Sequence, residues 1–188
     1  AVNPSGKLPF TVPFALEDGP IKTERQYPGI WTGDKPYWEE YYDEGIFVGY
    51  RWYDTKGIPV QFPFGYGLSY TTFEIGNLRC PASVRSGRSF TVSADVTNTG
   101  DRDGAEVVQL YISDPEASVE RPAKELKGFE KVWLKAGETR TVKFTLGPDA
   151  LSFFDAAAHD WKAEYGTFKV LVGASVSDIR TEKEFRLR

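Results

Sequence analysis

Between residues 89 and 97 the side chains alternate, with Phe90, Val92, Ala94 and Val96 on one side and Thr91, Ser93, Asp95 and Thr97 on the other. A period of two suits a half-buried β-strand and cannot line up on one face of a helix. Similar runs return down the chain. Residues 105–113 (AEVVQLYIS), 126–134 (LKGFEKVWL), 139–146 (TRTVKFTL), a run with Phe168, Val170 and Val172, and a closing run with Phe185 and Leu187 read as strands. Turn chemistry separates them: NTGDRDG at 98–104, and KAGE at 135–138, where Gly137 supplies a left-handed position. With a first strand near Leu78, about seven short strands follow at the spacing of a β-sandwich. Residues 148–154 allow at most one helical turn.

The first 75 residues obey different rules. Eight of the twelve prolines and 17 of the 28 aromatics lie there. Prolines this dense forbid long regular elements. Strands are expected only over 7–12 and 45–53, with one helical turn over 37–43. A segment so aromatic and so irregular should lie against another body. Charge divides at the same place. Residues 1–75 hold ten acidic and six basic side chains, while the remainder holds seventeen of each. Two unlike parts are therefore expected: 1–75, the tail of a larger domain, and 76–188, a β-sandwich.

A net charge of −4 argues against a nucleic-acid partner. No apolar run approaches the about 18 residues of a membrane span. The single cysteine, Cys80, excludes an internal disulfide, and the single histidine, His159, excludes a two-histidine zinc motif. No phosphate-cradling glycine loop is present. No cofactor and no metal are called for. No signal peptide is visible after Ala1, and the chain reads as a fragment or processed product.

Chemistry has few candidates. Glu39, Glu40, Asp43 and Glu44 cluster in YWEEYYDEG, and on a helical turn Glu40 would lie about 5–6 Å from Asp43 or Glu44. Two carboxyls at such spacing are what glycoside hydrolysis needs. Trp31, Trp38 and Trp52 offer apolar rings to sugar faces. The alternative is a solvated acidic edge over buried aromatics, and it carries more weight. His159 has no serine in an activating turn, Cys80 reads as a packing residue, and Asp101, Asp103 and Glu106 read as turn carboxylates rather than a calcium site. Trp133 and Trp161 sit in strand contexts suited to a core.

Three stretches, NPSGKLPFTV (3–12), YYDEGIFVGYRWYD (41–54) and FPFGYGLSYTTF (62–73), resemble the end of the second domain of glycoside hydrolase family 3. The sandwich is similar to the fibronectin-type-III-like domain that closes many β-glucosidases of that family. Its marks are NTG (98–100), GAEVVQLY (104–111), RPAKELKGF (121–129), LKAGE (134–138) and GTFKVLVGAS (166–175). The fold class this implies is mainly β: an immunoglobulin/fibronectin-III-like β-sandwich preceded by the C-terminal tail of an α/β sandwich domain. The resemblance implies an exo-acting retaining β-glycosidase, foremost a β-glucosidase releasing terminal β-D-glucose. In that family the aspartate nucleophile and acid/base glutamate lie upstream of the segment similar to 3–12, so no catalytic residue carries over. Glu44 and Gly45 match a structural Glu-Gly there.

Expected partners are upstream catalytic domains, in the same or a separate chain, and a β-linked oligosaccharide or glycoside; a homodimer stays open. Secretion or a periplasmic location follows from the resemblance alone. Arg121, Lys124, Glu125 and Phe129 are expected to dock the sandwich on the preceding domain, and Trp31 and Trp38 to rim the substrate cleft. Gly65 and Gly67 should permit close backbone approach. A β-xylosidase of the same family, and a free-standing carbohydrate- or protein-binding module, are the rival readings.

Overall fold

The computed structural model describes residues 2–33 and 37–188. Its first part holds short pieces: strands β1 (Val12–Pro13), β2 (Ile30–Trp31) and β3 (Trp38–Glu39), helix α1 (Tyr50–Lys56) and strand β4 (Val60–Phe62). The long strands follow as β5 (Phe73–Arg79), β7 (Phe90–Asn98), β8 (Gly104–Ser113), β9 (Glu125–Leu134), β10 (Thr139–Leu146), β13 (Gly166–Ser175) and β14 (Asp178–Leu187). Three short strands accompany them: β6 (Ser83–Val84) and the hairpin pair β11 (Phe153–Asp155) and β12 (Asp160–Lys162).

Two sheets form the sandwich, one ordered β10-β7-β5 and the other β6-β14-β13-β8-β9. All their pairs are antiparallel except β6 with β14. The alternation at 90–98 buries Phe90, Val92, Ala94, Val96 and Asn98, while the residues between them face outward. Opposite them, Val108, Leu110, Leu134, Phe168, Val170 and Val172 are fully buried. The sandwich expected from the period-two runs is what the chain forms, and a 3-10 turn at Pro148–Leu151 supplies the expected helical turn.

Four local expectations are corrected. Residues 45–53 are not a strand: Gly49, at φ 57, breaks the extended run, and the following residues wind into α1 until Gly57 closes it in the left-handed conformation. The aromatic and branched residues there fit a strand by propensity, but propensity yields to the two bracketing glycines. Residues 37–43 form no helical turn. Trp38 and Glu39 pair with Ile30 and Trp31, and the turn comes later, with Gly45 N–H donating to Tyr42 and Phe47 N–H to Glu44. Of 7–12 only Val12 enters a strand, because Pro9 has no N–H to give; Leu8 exchanges backbone bonds with Gly65 and Tyr66. Trp133 and Trp161 are exposed rather than core. Val132 and Leu134 already point inward, so the pleat sends Trp133 outward, and Trp161 lies on the hairpin outside the sandwich.

Strand β8 is buried on both faces, and this places the first part of the chain. Its inner residues enter the core, whereas Gln109 and Tyr111 point outward and are still 3 % and 0 % exposed. Residues from the first part cover them. Tyr50 of α1 stacks on Phe64, centroids 4.7 Å apart, and meets Tyr111 edge-on. Gln109 Nε2 donates to the carbonyls of Gly65 and Ala174, and its Oε1 accepts from the Tyr111 hydroxyl at 2.6 Å. Gly65 sits at φ 81 against that amide, and Gly67 lies on the backbone of Gly6; a Cβ at either would collide.

Between β8 and β9 the chain makes a long loop, which Glu164 ties down. The Ser118 hydroxyl and backbone N–H donate to its carboxylate, and Lys162 pairs with it at 3.0 Å. These contacts hold the Glu164 carboxyl down at about 2.

Two stability predictions follow from these contacts. Gly65→Ala should cost about 2 kcal/mol or more, from φ strain plus the clash with a fixed amide, as urea denaturation would read. A folded-state acidity below the unfolded value stabilises the protein at neutral pH and is lost as pH falls. Glu164→Gln should therefore be less stable than the parent at pH 7. The gap should close between the ordinary carboxylate range and about pH 2; denaturant midpoints across that span would check it.

Candidate functional site

The acidic cluster sits on the turn after β3, and its side chains are used as struts. Glu44 accepts from the Gln26 amide at 2.8 Å. Asp43 pairs with Arg25 at 3.0 Å, and Arg25 also lies over the Tyr41 ring. Glu39 accepts from the Tyr41 hydroxyl. Gln26 itself is buried and takes the backbone N–H groups of Lys22 and Thr23 on its carbonyl oxygen. A general acid and a nucleophile need carboxyls set apart by their environments. Here three of the four carboxylates brace the fold of the turn.

Trp31 and Trp38 face each other as register partners, centroids 5.9 Å apart, each about half exposed. Residues 34–36, between these two in sequence, lie outside the described residues. Trp52 instead donates its indole N–H to the Asp18 carbonyl and is only partly exposed.

Lys124 and Glu125 meet α1, and Arg121 stands behind Glu125. Arg121 is buried and forks between Asp114 at 3.0 Å and Glu125 at 2.7 Å. Arg51 of α1 reaches Glu125 at 3.2 Å, and Lys127 completes the group at 3.5 Å. Lys124 binds both carboxylate oxygens of Asp54 on the same helix. Backbone contacts seal the joint: Ala123 N–H donates to Thr55 and Leu126 N–H to the Tyr50 hydroxyl. Burial works to raise Glu125, but Arg121, Lys127 and Arg51 together hold it below its ordinary value. Burial wins at Asp114, whose carboxyl stays above the ordinary range despite Arg121. Phe129 stands apart, outward on β9 and 67 % exposed.

The remaining candidates have plain roles. His159 is exposed in the β11–β12 turn at φ 51. Cys80 is buried, and burial pushes its thiol up to about 11. Glu106 pairs with Lys7 at 2.7 Å, and Asp103 accepts from the Ala136 N–H, so neither is turned to a calcium site shared with Asp101. Among the described residues no group of His, Cys, Asp and Glu is placed to hold a metal ion, and no helix is long and apolar enough to cross a membrane. Sequence reasoning missed Gln109 and the helix residues Tyr50, Arg51, Asp54 and Thr55. The signal for the helix was GYRWYDTKG, a seven-residue segment bracketed by glycines.

A groove of about 590 Å³ opens beside the α1 joint, between Arg51, Lys127 and the aromatic hairpin β11–β12.

Known proteins share this arrangement. The fibronectin type III-like domain family matches residues 106–176. Over 182 residues, 95 % of this chain, the sequence is 50 % identical to beta-glucosidase BoGH3A of Bacteroides ovatus, of which it spans 24 %. It is 45 % identical over 179 residues, again 95 % of the chain, to an exo-alpha-(1->6)-L-arabinopyranosidase of Bifidobacterium breve, of which it spans 22 %. The crystal structure of a GH3 beta-glucosidase from Bifidobacterium adolescentis superposes with a TM-score of 0.89 at 42 % identity, covering 99 % of this chain and 26 % of that one. The chain thus spans about a quarter of the length of these relatives. Seven long strands in sandwich order, a covering segment docked through α1 and near-complete similarity to the C-terminal portion of such enzymes lead to one assignment: the chain belongs to glycoside hydrolase family 3, as the end of the α/β sandwich domain followed by the fibronectin type III-like domain.

Proposed function

We propose that the chain is the non-catalytic C-terminal part of an exo-acting, retaining β-glucosidase. The complete enzyme releases terminal β-D-glucose through a covalent glycosyl intermediate, with one carboxyl switching from acid to base. Nucleophile and acid/base lie outside these residues. The observation that carries this reading is 50 % identity along nearly the whole chain to a protein named a beta-glucosidase, at a quarter of its length. The bracing of Glu39, Asp43 and Glu44 by neighbours supports it, since it leaves those carboxylates with structural work.

In this reading residues 1–75 complete the α/β sandwich domain and 76–188 form a separate domain fixed to it. Lys124 and Glu125 do the fixing, by gripping Asp54 and Arg51 of α1, with Arg121 orienting Glu125 from behind, and so set the angle between the two parts. Phe129 extends the docking face beyond the helix, and Trp31 and Trp38 rim the cleft, where their rings meet the substrate or its leaving group.

A second reading differs in the sugar. This portion is 45 % identical to an arabinopyranosidase, nearly as close as to the glucosidase, so it frames the site without selecting the pyranose. Selection then rests with residues elsewhere in the enzyme.

Purified alone, the 188-residue chain should not hydrolyse aryl β-glucoside or β-xyloside; added to the rest of the enzyme, it should restore turnover. Hydrolysis by the chain alone would return catalysis to the 39–44 cluster. Lys124→Ala should speed amide hydrogen exchange across α1 by about tenfold or more while leaving β8 and β13 protected. Unchanged exchange in α1 would mean that the ion pair does not hold the joint.

A further inference from the structure

The geometry points to a saccharide subsite in the groove between α1, β9 and the β11–β12 hairpin. One wall is aromatic. Phe154 and Trp161 are register partners on the hairpin, centroids 5.8 Å apart and edge-on at 72°. They are 51 % and 66 % exposed. In an edge-to-face pair one ring's edge covers at most one face of the other, so apolar ring face stays open to a ligand.

The rest of the groove mixes paired charges with apolar side chains, Ile46, Val119 and Pro122 among them. Arg51 and Lys127 both lean on Glu125, at 3.2 Å and 3.5 Å, where Arg121 is shared with Asp114, and Lys162 of the hairpin leans on Glu164 at 3.0 Å. With Asp155 in the lining, four cations meet four carboxylates, and Glu120 is paired with Lys56, so the groove offers N–H donors and carboxylate acceptors without a net charge to attract an anion. A neutral hexopyranose fits both sides: one apolar C–H face for the ring and a rim of hydroxyls that both donate and accept. The groove, about 590 Å³, is of a size that takes a short oligosaccharide. The site would hold a short stretch of glucan chain. That β-linked glucans are the natural occupants rests on the activity proposed above; the groove's preference for a neutral sugar does not.

The test is titration of the 188-residue chain with cellotetraose, and separately with maltotetraose, by calorimetry with indole N–H shifts read by NMR. The expected result is saturable binding of cellotetraose, millimolar or roughly tighter, that moves the Trp161 indole, leaves Trp31 in place and is insensitive to salt. Trp161→Ala should weaken it about tenfold or more; Trp161→Phe, which keeps a ring, should weaken it less, and Trp133→Ala should not. Unchanged core amide shifts would show each variant folded. Absence of saturable binding, or binding indifferent to Trp161→Ala and Phe154→Ala, would overturn the subsite and leave the activity proposal untouched. Equal binding of both tetraoses would sustain the subsite and remove the β-linkage from it.

Discussion

Gln109 sits where the two parts of the molecule meet, in a place from which water is excluded. A buried primary amide is costly unless its donors and acceptor are used, and here they are. The consequence is positional. Two donors from one side chain fix the backbone of Gly65, in the covering segment, and of Ala174, on the neighbouring strand, at set distances from β8. The Val176 N–H to Phe64 carbonyl bond repeats the tie one step along. With Phe64 fixed, Tyr50 has a surface to stack on, and with Tyr50 fixed α1 has its orientation. Apolar contact alone would let the segment slide over the sheet; an amide with three partners admits one register.

The ionic joint at the other end of α1 extends the same logic. Arg121, Asp114 and Glu125 are buried, so their mutual attraction is largely spent on lost hydration, and their worth lies in direction more than in stability. Removing Arg121 would take the cation from Asp114 in a dry place, while Glu125 would keep Arg51 and Lys127. Asn98 does the same inside the sandwich. Fully buried, it accepts from the Thr71 hydroxyl and Gly100 N–H and donates to the carbonyls of Arg102 and Leu134. The 98–104 turn is pinned to β9 and to the end of the covering segment by one residue.

The sandwich was legible because its strands obey one local rule, alternation, and the rule fails only where both faces are buried. AEVVQLYIS shows that failure: Gln109 and Tyr111 occupy the outward parity, yet the run is apolar almost throughout, as in strands covered on both faces. The first part was less legible because its conformation is set by distant partners. Gly49 and Gly57 bound a helix too short to show a period, and residues 37–43 look helical by composition until Trp38 finds Trp31 across a hairpin. Trp133 was misplaced by counting its hydrophobicity rather than its parity. Lys124 and Glu125 stand in RPAKELKGF, but the residues of α1 they meet could not be read there, since nothing in the sequence couples Lys124 to Asp54.

Where the apolar surface lies gives the last step. Of the 23 exposed large hydrophobics among the described residues, 17 fall between Val2 and Tyr70, although that stretch is little more than a third of the chain. One side of the segment is already spent on β8, through Tyr50, Phe64 and the Gln109 seam. Phe10, Phe14, Leu16 and Tyr27 are exposed away from that seam. Exposed apolar side chains in such number mark a surface suited to contact with another body. A segment apolar on both sides and fixed on one by polar bonds has the build of a middle layer. Its polar seam sets how the sandwich sits, and its apolar side stays open.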